Sequence, residues 1–174
     1  MLDGLLGLIA ELAIGFTGFA ALASVLGHSP TEADLRLDRF RLRNLVEMGV
    51  FTVVMALLPL ILRAGEASEM AGRATWVVCC VLMLGGMGFI AVVQIGRSHT
   101  LDISSLRGYS RPASLLVYLL AVVAAMLLVL GLALPGFSPA RAYVGALFLF
   151  VLMLGSYFVR IASSLLTHRL DDGE

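Results

Sequence analysis

Five stretches of this chain carry no charged residue: 12–31, 48–62, 74–96, 112–140 and 142–159. That pattern constrains the fold more than any other property. About 20 apolar residues cross the hydrocarbon of a bilayer as an α-helix. Lipid offers no partner to backbone N–H and C=O groups, and a helix satisfies its own. The gaps therefore predict an all-α, five-helix transmembrane bundle, with helices at about 4–27, 41–63, 74–96, 113–134 and 141–166. Composition closes off the alternatives. The 174 residues are 60% hydrophobic and 14% charged, against about 45–50% and about 25% in a soluble domain. Twelve basic residues balance twelve acidic ones, so the basic excess of a nucleic-acid binder is missing. No polar stretch is long enough for a soluble domain, and residues 1–174 are expected to form a single transmembrane domain.

Local signals mark the helix limits. Ser29-Pro30-Thr31-Glu32 reads as a capping box with proline at the first helical position. It predicts an amphipathic segment at about 30–40, able to run on into the second span. Ser138-Pro139 opens the fifth helix in the same way, and Pro135-Gly136 closes the fourth. So short a connection makes helices four and five antiparallel neighbours. Pro59 inside the second span lacks an N–H, which frees the carbonyl of Met55 and predicts a bend.

All twelve basic residues are arginine. Without lysine there is no Schiff-base cofactor, retinal included, and no phosphate-binding P-loop. An all-arginine set suits a GC-rich bacterial genome. Five spans put Arg36, Arg39, Arg41, Arg43, Arg97, Arg107, Arg111, Arg160 and Arg169 on one side, and Arg63, Arg73 and Arg141 on the other. Positive charge collects in the cytoplasm, so the expectation is a bacterial inner-membrane protein with its N-terminus outside and its C-terminus cytoplasmic. Ala21-Leu22-Ala23 has the look of a signal-peptidase site. The start Met1-Leu2-Asp3 has no basic residue and Glu11 interrupts the apolar run, so the first span is expected to stay uncleaved.

Glu11 is the most informative side chain. It stands about six residues inside the expected first helix, or roughly 9 Å from its outer edge. A carboxylate there costs at least about 2.5 kcal/mol unless paired, neutral or hydrated. Two roles fit: a cation or proton ligand, or a glutamate hydrogen-bonded to a neighbouring helix through Thr75 or Tyr143. Glu47 and Arg160 sit at comparable depth near the arginine-rich side and are candidates for an ion pair. Glu47 also has Arg43 one turn away, and Arg160 can reach the headgroups unaided. Gly85, Gly86 and Gly88 fall near mid-membrane, where they form a packing groove or a gating hinge. Arg36, Arg39, Arg41 and Arg43 are expected to face anionic lipid. The adjacent Cys79 and Cys80 suit neither a disulfide framework nor a zinc site. His28, His99, His168 and Asp102 share no metal-binding spacing, and no metal or other cofactor is expected. No HExxH, GxSxG or GxGxxG motif occurs, and no catalytic residue is assigned.

The segments Gly15-Phe16-Thr17-Gly18-Phe19-Ala20, Asp34 to Arg43 and Leu57-Leu58-Pro59-Leu60 resemble small bacterial multi-pass membrane proteins without an assigned activity. The resemblance covers the first two helices and implies a multi-pass fold, with no ligand or site. The single Trp sets the chain apart from the tryptophan-rich sensory proteins of similar size. Together these readings lead to one expectation: a small ion- or solute-conducting protein acting as a homo-oligomer, with Glu11 as its ligand or proton site. The competing expectation is an accessory or scaffold subunit whose Gly and Ala faces dock a partner helix.

Overall fold

The structure is a computed structural model. It describes the chain at residues 2–26, 32–63, 69–101, 111–134 and 136–171, with side-chain environments at 2–22, 39–62, 72–96, 115–134 and 136–163. The described chain folds into helices α1 (Leu2–Leu26), α2 (Glu32–Arg63), α3 (Glu69–Leu101), α4 (Arg111–Ala133) and α5 (Pro139–Asp171). Each contains a segment long and apolar enough to cross a membrane: Leu2–Leu22, Arg39–Leu62, Gly72–Gly96, Leu115–Ala133 and Pro139–Ser163. The five expected spans are present.

Three helices run past the limits that the apolar stretches set. The amphipathic segment at 30–40 and the second span merge into one continuous α2, and α3 and α5 also extend beyond their apolar windows. The lipid fixes where a helix must be apolar, whereas helix ends are set by caps. At the start of α5 the cap is visible. Pro139 occupies the first helical position, and the Ala142 N–H donates to the Ser138 carbonyl at 3.1 Å.

Successive spans run in opposite directions, so α1, α3 and α5 are antiparallel to α2. One end of the bundle holds Arg39, Arg41, Arg43 and Arg160, and is called the arginine-rich end below. The opposite end holds Arg73 and Arg141. Helix α5 is the centre: it packs against α1, α2, α3 and α4. Its span is also the most enclosed of the five. Buried Tyr143, Ala146, Leu147, Phe150, Met153 and Leu154 line one continuous inward face of it. Helix α4 packs chiefly on α5, which confirms the antiparallel pairing expected from the short connection.

Close approach between helices depends on small residues, because lipid gives no hydrophobic drive to associate. Gly131 of α4 lets Ala142 of α5 approach it, and Gly49 of α2 lies under the side chain of Thr17 on α1. Gly86 of α3 accommodates the ring of Phe51, which tilts against Phe150 of α5 with centroids 5.4 Å apart. The Gly49, Gly86 and Phe150 contacts fix the register of α2 against α1, α3 and α5 in turn.

Candidate functional site

Three hydroxyl groups inside the spans are satisfied within their own helices. Thr17 donates to the Ala13 carbonyl and Thr52 to that of Met48, both at 2.7 Å. Ser156 donates to the Met153 carbonyl at 2.7 Å. A fourth hydroxyl bonds between helices. Tyr143 of α5, fully buried, donates its hydroxyl to the Met55 carbonyl of α2 at 2.6 Å. This is the carbonyl that Pro59 leaves without its helical partner. Pro59 is itself among the fully buried side chains. The ring of Tyr143 stands edge-on to Trp76 of α3 at 5.7 Å. The Cys80 thiol points to the Pro139 carbonyl at 3.7 Å, and Cys79 and Cys80 are both buried as free thiols. Tyr143 thus ties three helices together toward the end opposite the arginine-rich one. Its hydroxyl goes to the α2 backbone, not to Glu11.

Glu11 lies on the other side of α1. Leu6, Ile9, Ala10 and Ala13 turn inward and are buried, whereas Gly4, Leu8, Glu11 and Gly18 are exposed. Glu11 is nine residues from Leu2, roughly 13 Å along the axis, and close to the middle of the Leu2–Leu22 span. It is deeper than expected because α1 begins at Leu2. A Cβ added at Gly4 or Gly18 would meet nothing within 4 Å. Both glycines are seven residues from Glu11 and share its face. The exposed surface of α1 therefore carries an acid flanked by two open small positions.

The three glycines of α3 separate. Only Gly86 meets another helix, at the Phe51 ring, while Gly85 and Gly88 are exposed with open space beside them. Gly86 has the packing role, and nothing in these contacts marks a hinge.

The arginine-rich end holds the other candidates. Arg43 Nε donates to Glu47 Oε1 at 2.9 Å, the local pairing that the sequence allows. Arg43 is well exposed in that pair, and such contacts are worth about 0.3–0.5 kcal/mol. Arg160 lays its guanidinium against the Tyr157 ring, 5.6 Å from the centroid. Arg39 is exposed and Arg41 half-buried. The side chain of Arg36 lies outside the described residues, as do His28, Asp102 and the side chains of His99 and His168.

Two residues at this end escaped the sequence reading. Asn44 of α2 is 2% exposed, and its Oδ1 is buried without a hydrogen-bond partner. Gln94 of α3 has its Nε2 buried in the same condition. A search confined to charged residues passes over both. The signal that could have found them is an amide side chain inside an otherwise apolar run. Compared with known proteins, the chain matches no family model, no curated protein and no solved structure.

Proposed function

We propose that this protein conducts an ion or a small solute across a bacterial inner membrane as a homo-oligomer, with Glu11 lining the space between chains. The observation that carries the reading is the position of Glu11: a carboxylate near the middle of an apolar span, on the outer surface of its own bundle. Left facing lipid, it would cost at least about 2.5 kcal/mol. Facing a hydrated space shared with other copies of the chain, it keeps its solvation and supplies a proton or cation site. Gly4 and Gly18 on the same face allow neighbouring helices to approach above and below it. The interior of a single bundle at that depth is filled by Leu6, Ile9, Ala10, Ala13 and the α5 side chains, so a shared space is the better location for a path. The arginine distribution orients the chain with its N-terminus outside and its arginine-rich end in the cytoplasm.

The test is flux in proteoliposomes carrying an entrapped pH-sensitive dye, driven by a potassium gradient with valinomycin. The purified protein is expected to accelerate proton or cation entry. Glu11→Gln should lower the rate about tenfold or more, and Glu11→Asp should retain most of it. A rate no higher than that of empty vesicles overturns conduction. If the protein then co-purifies stoichiometrically with a different membrane protein, and Glu11→Gln weakens that association, the carboxylate serves an accessory subunit instead.

A further inference from the structure

The register of the bundle brings two buried amides into one layer. Phe51 of α2 meets Gly86 of the antiparallel α3. Seven residues along a helix return to the same face, roughly 10 Å further on. From Phe51 that step toward the arginine-rich end reaches Asn44. From Gly86 a step of seven to eight reaches Val93 and Gln94. Gln94 also continues the inward stripe of α3 through Trp76, Cys80, Met83 and Met87. Asn44 is 2% exposed and stands one turn from buried Met48. Asn44 and Gln94 therefore share one depth between α2 and α3.

Neither amide is satisfied there. Asn44 Oδ1 is buried without a donor and Gln94 Nε2 without an acceptor, so the two do not bond to each other. Buried polar atoms in folded proteins nearly always have a partner, whether protein or water. One acceptor and one donor at the same depth define the group that completes them. An anion would accept from Nε2 and repel Oδ1. A cation would attract Oδ1 and repel the N–H bonds of Nε2. A hydroxyl suits both, because it donates through its hydrogen and accepts through its oxygen. Both side chains are neutral, so this choice rests on no charge in the surrounding helices. The depth also fits. Asn44 is five residues inside Arg39, and Gln94 two inside Gly96. These offsets amount to about 3–8 Å, within reach of interfacial water, and polar partners are what hold a water in a protein interior.

We propose that Asn44 and Gln94 form a binding site for one hydroxyl group, which donates to Asn44 Oδ1 and accepts from Gln94 Nε2. The bound hydroxyl pins α2 to α3 at the arginine-rich end. Water supplies this group in its smallest form and a small alcohol supplies it on a carbon chain, and the experiment separates the two sources.

Crystals of the wild type grown in lipidic cubic phase are compared with crystals soaked in 2-bromoethanol, whose bromine is located by anomalous scattering. Density for one oxygen is expected within about 2.7–3.2 Å of both Oδ1 and Nε2. A bromine peak beside that oxygen extends the site to alcohols. The oxygen without a bromine peak assigns the site to water. A layer without such density, or one in which Gln94 Nε2 donates directly to Asn44 Oδ1, overturns the proposal. Unfolding by SDS, followed by Trp76 fluorescence, gives a second reading. Asn44→Leu and Gln94→Leu should each lower the folding equilibrium constant about tenfold, because each strands the other amide. Asn44→Leu/Gln94→Leu removes both and should stay within about threefold of the wild type. If the double variant instead shows the product of the two single losses, the amides share no occupant and the proposal fails.

Discussion

The bond from Tyr143 to the Met55 carbonyl makes a quantitative claim, because its acceptor is free only on account of Pro59. Changing Tyr143→Phe removes one hydroxyl and keeps the ring, so the edge-on contact with Trp76 persists. The Met55 carbonyl is then buried with no donor. The expected cost is about 1–2 kcal/mol, between the mean for side-chain bonds in membrane proteins and the price of an orphaned buried acceptor. In the Pro59→Ala background the residue-59 N–H is restored and donates to the same carbonyl, as in any helix. Losing the tyrosine hydroxyl there should cost no more than about 0.5 kcal/mol. The coupling between the two substitutions is thus about 1 kcal/mol, above the scatter expected of independent sites. Equilibrium unfolding in mixed micelles, titrated with SDS and followed by Trp76 fluorescence, measures all four proteins. If Tyr143→Phe costs the same with and without Pro59, the hydroxyl is not serving the carbonyl that proline exposes, and the reasoning fails.

Gly86→Ala should destabilise by about 1–3 kcal/mol through its collision with the Phe51 ring. Gly85→Ala and Gly88→Ala, facing open space, should be neutral or stabilising by up to about 1 kcal/mol; the same SDS titration distinguishes them. Gly49→Ala forces Thr17 off the Ala13 carbonyl, and thermal unfolding should show that adding Thr17→Ala recovers part of the loss. Glu47→Gln should shift stability by no more than about 0.5 kcal/mol if its chief partner is the exposed Arg43. A larger loss in that titration would mean that Glu47 supports a buried group at the arginine-rich end.

The five spans were legible because charge and lipid exclude each other, and the exclusion is local in sequence. The α4–α5 pairing was legible too, because a short connection leaves little geometric choice. What could not be read is the direction in which side chains point around a helix that is apolar on every side. Glu11 could be placed within the bilayer, but α1 has no polar face to show that the acid turns outward. Gly85, Gly86 and Gly88 are equivalent in sequence, and only the Phe51 ring across the interface separates them. Pro59 announced a free carbonyl, yet its donor lies 88 residues away on another helix. Glu47 and Arg160 drew notice by their charge, while the uncharged Asn44 and Gln94 did not.

The central place of α5 has a consequence for how the protein is made. Of the five helices it is the last to leave the ribosome, yet it is the one against which all the others pack. When α1 to α4 have entered the membrane, α1 can pair with α2 and α3 with its neighbours, but the Met55 carbonyl still lacks Tyr143 and the Phe51 ring still lacks Phe150. Partly inserted chains therefore display unsatisfied backbone and open seams until the fifth helix arrives. Closing those seams waits on the insertion of α5.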